Sequence, residues 1–233
     1  MTQHNLQITL MSDATFGRGD GIAGLIDEEI EHDSATGLPY IRGRVLRGLL
    51  VEECANILYG YSQAIKKVDR VEAELTNAAQ WLFGVGGSAT DAAGHLHVGR
   101  ATLPNALCRA IAAQVANKAV APADILESLT TIRRQTSMSD AGAPEEGSLR
   151  SMRVLLRGDV ANENAYSLSA SLIFDSKPCN NALALLAACA ACTHRGGTGR
   201  NRGRGRLRMA LDGDENSKTQ LDYFEKWLKG GQP

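Results

Sequence analysis

The 233-residue chain is 43% hydrophobic and 22% charged with a formal net charge of −1, an ordinary globular composition long enough for a sizeable core. Aromatic residues make up 5%, so platforms for stacking bases must be few. No apolar run reaches the ~18 residues that span a bilayer, the N-terminus MTQHNLQITL shows no secretory signal, and five cysteines, an odd number, speak against a disulfide framework and fit a reducing cytoplasm.

Leu6–Met11 (LQITLM) predicts a first strand, followed by a glycine-rich loop, Gly17–Gly24. Leu25–His32 reads as a second extended piece, with Leu25, Asp27, Glu29 and Glu31 on one face, solvated or turned to a neighbouring subunit, and Ile26 and Ile30 on the other. Thr36–Pro39 is turn chemistry. After Gly43, residues Val45, Leu46, Leu49, Leu50, Ile57 and Leu58 recur at helical spacing, and a second helix is expected over Val71–Phe83. His95–Leu103 reads as a strand, Ala106–Leu129 as helix broken near Pro122, and Ser137–Gly147 as a loop. Leu149–Leu156 and Tyr166–Phe174 are expected to pair as strands. Asn181–Thr193 is an apolar helix buried nearly all round, and a strand at Leu207–Leu211 and an amphipathic helix around Leu221–Lys229 close the chain. The core order is strand, helix, strand, strand, helix, strand with insertions. That predicts an α+β, ferredoxin-like core like that of RNA-recognition motifs, as one domain over residues 1–233.

Near-zero net charge hides segregation. Asp27–Asp33 packs five acids into seven residues, whereas His194–Arg208 (HRGGTGRNRGRGRLR) holds six arginines and no acid. Arginine outnumbers lysine 18 to 7, and its planar fork matches phosphate oxygens two at a time. Arg42, Arg44 and Arg47 sit where Gly43 opens a helix, an end whose free N–H groups attract phosphate, although salt bridges to the acidic run are the alternative. Gly196, Gly197 and their neighbours allow close approach to a sugar-phosphate chain, with Arg200, Arg202, Arg204 and Arg206 as the contacts. Two metal-like spacings also occur. Cys189-Ala-Ala-Cys192-Thr-His194 lies on an apolar helix, where packing is the expected role, and His95 and His97 share a strand face, with a packed or exposed pair expected.

Three segments together resemble the RAMP superfamily, the repeat-associated proteins of CRISPR systems. They are Phe16–Leu50, with its glycine loop, its strand ending in Asp33 and GLPYIRGRVLRG; Leu82-Phe83-Gly84 with the strand at His97–Leu103; and Gly196–Leu207, GGTGRNRGRGRL, which takes in most of the 195–206 loop. Within the superfamily the chain is most similar to the repeating backbone subunit of type III effector complexes. Residues 132–154 look like that subunit's thumb hairpin, although Arg133 stands where an acid is usual and Ser137 near a usual glycine.

The resemblance implies guide crRNA, complementary target RNA, further copies of the same chain and other CRISPR effector subunits as partners. Arg18, Arg42, Gly43, Arg44, Arg47, Arg134, Met138 and the 195–206 loop are the expected RNA contacts, Met138 as a wedge between bases. It also implies that Asp33 catalyses target cleavage, as a base toward the 2′-hydroxyl or as a ligand to Mg2+ or another divalent cation, against the plainer reading that Asp33 only closes the SATG turn. His32 is expected to be structural. A non-cleaving structural subunit and a guide-processing endoribonuclease are the alternatives.

Overall fold

The computed structural model describes residues 4–64, 70–85, 93–159, 164–165 and 167–230. Strand β1 (His4–Leu10) alternates strictly: Leu6, Ile8 and Leu10 are fully buried, while Asn5, Gln7 and Thr9 face the other way. Helices α1 (Gly43–Ala64) and α2 (Arg70–Phe83) follow, then β2 (Leu96–Thr102), α3 (Asn105–Ala116) and α4 (Pro122–Leu129). A hairpin of β3 (Thr130–Gln135) and β4 (Arg150–Leu155) comes next, then the two-residue strands β5 (Gly158–Asp159) and β6 (Asn164–Ala165). Strand β7 (Ser167–Phe174), α5 (Asn180–Cys192), β8 (Leu207–Leu211) and α6 (Asp214–Leu228) complete the chain.

The main sheet has the order β2-β7-β1-β8, every neighbouring pair antiparallel. With α1 between β1 and β2, and α5 between β7 and β8, this is the ferredoxin-like arrangement that the sequence predicts. Both helices cover one face. Leu168, Ala170, Leu172 and Phe174 of β7 join the β1 leucines there, under Leu46 and Leu50 of α1 and the run Ala184–Ala190 of α5. The alanine content of α5 has a packing reason. Small side chains let α1, α2 and α6 all close on one nearly wholly buried helix. The opposite face is open and polar, carrying Asn5, Gln7, Ser167, Ser169 and Ser171.

Four expectations are corrected. Residues 149–156 do not pair with 166–174. Strand β4 pairs with β3, and β7 with β1 and β2; Tyr166 lies outside the described residues. Residues 25–32 form no strand: isolated bridges tie Gly17 to Ile30, Glu28 to Met152 and His32 to Pro39, so the face pattern of a pleat does not apply. Glu29 and Glu31 are consequently buried beside Ile30 rather than solvated, because two arginines reach in to meet them. The last helix also begins earlier than expected, at Asp214.

Candidate nucleic-acid interface

The acidic run folds inward along a seam between the glycine loop, β4 and the start of α1. Glu29 accepts Arg153 Nε at 2.8 Å and the Ile30 N–H at 2.9 Å, and is 1% exposed. Arg153 also donates to Thr130 Oγ1 at 3.1 Å. Glu31 pairs with Arg42 and accepts the Tyr40 hydroxyl at 2.7 Å. That hydrogen bond, with burial, raises the Tyr40 phenol above its ordinary value, so it stays a donor at neutral pH. Of the two readings open for Arg42, the salt bridge to the acidic run is the one present.

The other arginines at this end divide. Arg47 donates to the Phe83 carbonyl at 2.7 Å and lies over the Phe83 ring at 5.9 Å, whereas Arg44 is exposed with no partner among the described residues. Gly43 has a steric reason: a Cβ there would lie 1.9 Å from the Val98 carbonyl oxygen of β2. Arg18 pairs with the exposed Asp20.

The arginine–glycine loop is anchored at both ends. Gly196 and Gly205 pair backbone to backbone at 2.9 Å, Thr198 donates to Thr15 O at 2.8 Å, and Gly205 donates to Asp13 O at 2.9 Å. Gly205 has φ +70°, and a Cβ there would meet Gly196 O at 2.0 Å, so this close antiparallel entry requires glycine. Gly196 is buried against Phe16, Leu49 and Leu207, and Gly197 lies over the Thr15 carbonyl. Arg200 makes a two-pronged pair with Glu52 of α1, both bonds 2.9 Å. Those bonds hold the Glu52 carboxyl below its ordinary value. Arg206 is exposed and its N–H donates to Ser12 Oγ.

Arg202 and Arg204 reach a cleft of about 470 Å³ that Arg133 and Arg134 of β3 and Arg157 also line, with Asp13 the one acid in its lining. Asp13 accepts Arg133 at 3.1 Å and the Arg157 N–H at 3.2 Å. Arg134 and Arg202 have no partner among the described residues. Five arginines from three chain segments converge here: Arg134, Arg202 and Arg204, each an expected RNA contact, and Arg133 and Arg157, which the sequence does not single out as contacts. Met138 stands at the tip of the β3–β4 hairpin, bridged to Pro144 and 58% exposed.

A second cleft, of about 790 Å³, lies against the open sheet face. Asp33 lines it with Tyr40, Arg100, Arg109, Ser169 and Ser171. Asp33 Oδ1 accepts the Ala35 N–H at 2.8 Å and its carbonyl accepts the Gly37 N–H at 2.7 Å. The turn-closing role is therefore present, carried by one carboxylate oxygen. Among the described residues the His32 side chain hydrogen-bonds only the Ile30 carbonyl, at 3.3 Å.

Neither metal-like spacing gathers a site. Cys189 is buried on α5 against Cys54 of α1, whereas Cys192 and His194 are exposed. His97 and His95 lie 2.9 and 3.9 Å from Asp175, with His95 also against Trp81. Among the described residues no group of three or more His, Cys, Asp or Glu side chains is placed to hold a metal ion.

The family model of the RAMP superfamily matches residues 7–208. The chain belongs to the RAMP superfamily. This RAMP protein shares its fold with solved structures of 11–12% identity. One is a chain of the type III-B Cmr-beta bound to cognate target RNA (TM-score 0.60, covering 95% of this chain and 99% of that one). Another is from the apo state of the type III-B Cmr-beta (TM-score 0.58, covering 91% and 98%). No curated protein matches it in sequence. Among its described residues no helix is long and apolar enough to cross a membrane.

Proposed function

We propose that this RAMP protein is an RNA-binding backbone subunit of a type III CRISPR effector complex that grips guide crRNA and cuts the target RNA paired to it. The observation that carries the binding half is the five-arginine cleft where the glycine-rich loop meets the base of the β3–β4 hairpin. Arginines from three chain segments line one groove, and their guanidinium forks match phosphate oxygens two at a time. Such a groove holds a sugar-phosphate chain of any sequence, which suits a protein whose specificity comes from base pairing. The hairpin serves as the thumb, with Met138 at its tip as the wedge. Successive copies of the chain, with other effector subunits, extend the grip along the guide.

Asp33 supports the cutting half. With Oδ1 closing the turn, Oδ2 has no partner among the described residues. It can take the proton of a target 2′-hydroxyl as that oxygen attacks phosphorus; the P–O5′ bond breaks, the 5′-oxygen takes a proton from water, and a 2′,3′-cyclic phosphate is left. Asp33 is the sole acid in the lining of its cleft, so it fits a divalent cation only where RNA phosphate and water complete the coordination, the usual habit of Mg2+. Such an ion would supply charge neutralisation at the phosphate, with Asp33 contributing one oxygen. The engaged Oδ1 favours a second reading, a subunit that binds RNA without cutting.

Asp33→Ala decides between the two. The cutting subunit loses ~10²–10⁴-fold in target cleavage with guide and target binding retained. It also stops with a chelator and with a 2′-deoxy sugar at the cut site. A variant that cuts at the wild-type rate assigns Asp33 to the turn alone.

A further inference from the structure

The arginines of this chain sort by whether a carboxylate already holds them. Arg18, Arg42, Arg133, Arg153, Arg200 and Arg208 each have an acid partner. Arg100 and Arg109 have none among the described residues, yet both line the cleft that holds Asp33.

Arg100 reaches that cleft by an irregularity in β2. Val98 pairs with Leu172 and Ala101 with Ala170, so Gly99 and Arg100 together oppose the single residue Ser171. In strict alternation after Leu96 and Val98, position 100 would face the core. The extra residue shifts the parity, so Ala101 is fully buried and Arg100 is exposed on the open face. Its guanidinium then lies over the Tyr40 ring, 5.4 Å from the centroid. Tyr40 is fixed in turn by its hydrogen bond to Glu31, which Arg42 pairs. The bulge aims Arg100, and the Arg42–Glu31–Tyr40 chain holds the ring on which it rests. Arg109 comes from α3 on the far wall.

We propose that Arg100 and Arg109 bind the target-strand phosphate that Asp33 acts beside, as catalytic residues neutralising the charge that builds on phosphorus during attack. This rests on the cutting reading above. The chemistry asks for it: a carboxylate beside a phosphodiester repels it, and a lone Asp33 cannot both activate the hydroxyl and hold the phosphate. Two guanidiniums, that of Arg100 resting over the Tyr40 ring, supply the missing charge. The cleft volume, about 790 Å³, is in the range that encloses one nucleotide-sized ligand. Ser169, Ser171 and Thr102 offer hydroxyls for the sugar. The site is distinct from the five-arginine cleft, since the two share no lining residue. Asn5 at the start of β1 lines one and Ser12 just past its end lines the other, about 23 Å of strand apart. One strand is gripped at one end of β1 while another is cut at the other.

The experiment uses guide-loaded protein with Arg100→Gln, Arg109→Gln, the double variant, Arg100→Lys and Asp33→Ala. Two quantities are read: the cleavage rate, and the salt dependence of affinity for a complementary target made uncuttable by 2′-deoxy sugars. The double variant should lose ~10²–10³-fold in rate, as when transition-state donors are removed. It should also flatten the log-affinity against log-salt slope for target by about 0.7 per arginine, with the guide slope unchanged. Arg100→Lys should keep the salt slope and lose rate, because it keeps the charge but not the fork. An unchanged target slope in the double variant overturns the proposal, whatever happens to the rate. If the wild type does not cut, or Asp33→Ala still cuts, the cutting reading falls and the catalytic role of the two arginines falls with it. A flattened target slope would then leave them as a phosphate-binding pair only.

Discussion

The seam of the acidic loop and the two arginine clefts use the same side chains in opposite ways. At the seam, Arg153 and Arg42 reach the buried Glu29 and Glu31 and are matched by them one for one. In the clefts, Arg100, Arg109, Arg134 and Arg202 are exposed and pair with no carboxylate among the described residues. A basic residue count therefore overstates the nucleic-acid surface. What separates a structural arginine from one available to phosphate is its partner, and the partner often comes from a distant part of the chain.

The largest expected effect breaks the seam. Glu29→Ala leaves Arg153 charged and 12% exposed with its carboxylate gone, and removing one member of a buried pair costs about 3–5 kcal/mol. Urea unfolding should show a lower midpoint at unchanged slope, equivalent to that loss of unfolding free energy. Replacing both, Glu29→Leu with Arg153→Met, should recover part of the loss, because no buried charge is left alone. If Glu29→Ala is as stable as wild type, the seam is solvated and the contrast between the regions disappears.

Next comes the cleft. Arg134→Ala with Arg202→Ala should leave stability within about 0.5 kcal/mol, as exposed substitutions do. The pair should also flatten the salt slope for single-stranded RNA by about 1.4, two phosphates' worth at 0.7 each. Arg42→Ala should do the reverse, lowering stability with little change in slope beyond what misfolding explains. Equal slope changes in the two variants would show that pairing with Glu31 does not withdraw Arg42 from RNA.

The sequence made some of this legible and hid the rest for physical reasons. The ferredoxin order could be read because each core element carries its own period: LQITL alternates, α1 repeats its leucines every three or four residues, and α5 is apolar on all sides. The pairing of β4 is hidden because β3, TTIRRQ, has two arginines and buries little, so it gives no strand signal and its partner looks unclaimed. Glu29 and Glu31 look solvated in the sequence because the arginines that make their burial tolerable lie 124 and 11 positions away. Asp33 and Arg134 stand out by motif resemblance and the 195–206 loop by its arginines and glycines as well; in the structure Asp33 lines one cleft and Arg134, Arg202 and Arg204 another. Arg100 left one sign: a glycine beside it within an otherwise alternating strand, LHVGRAT, is what a bulge looks like in sequence.

The smallest effect sharpens the comparison at its border, the Glu52–Arg200 pair. It is exposed, with side chains 47% and 40% accessible, so it belongs to neither region fully. The hydrogen bonds from Arg200 depress the Glu52 carboxyl, and a group depressed on folding stabilises the fold above its unfolded value and loses that contribution as pH falls through the folded one. Exposed pairs contribute about 0.2–1 kcal/mol, so Glu52→Gln should cost no more than that at neutral pH. The cost should vanish toward low pH, where the wild-type carboxyl is protonated as well. With its acid gone, Arg200 becomes available to phosphate, and the RNA salt slope should steepen by about 0.7. Paired unfolding curves across pH, with binding isotherms at several salt concentrations, measure both. A slope that stays at the wild-type value would mean that Arg200 is held where no phosphate passes, and would place it with Arg42 and Arg153 on the structural side.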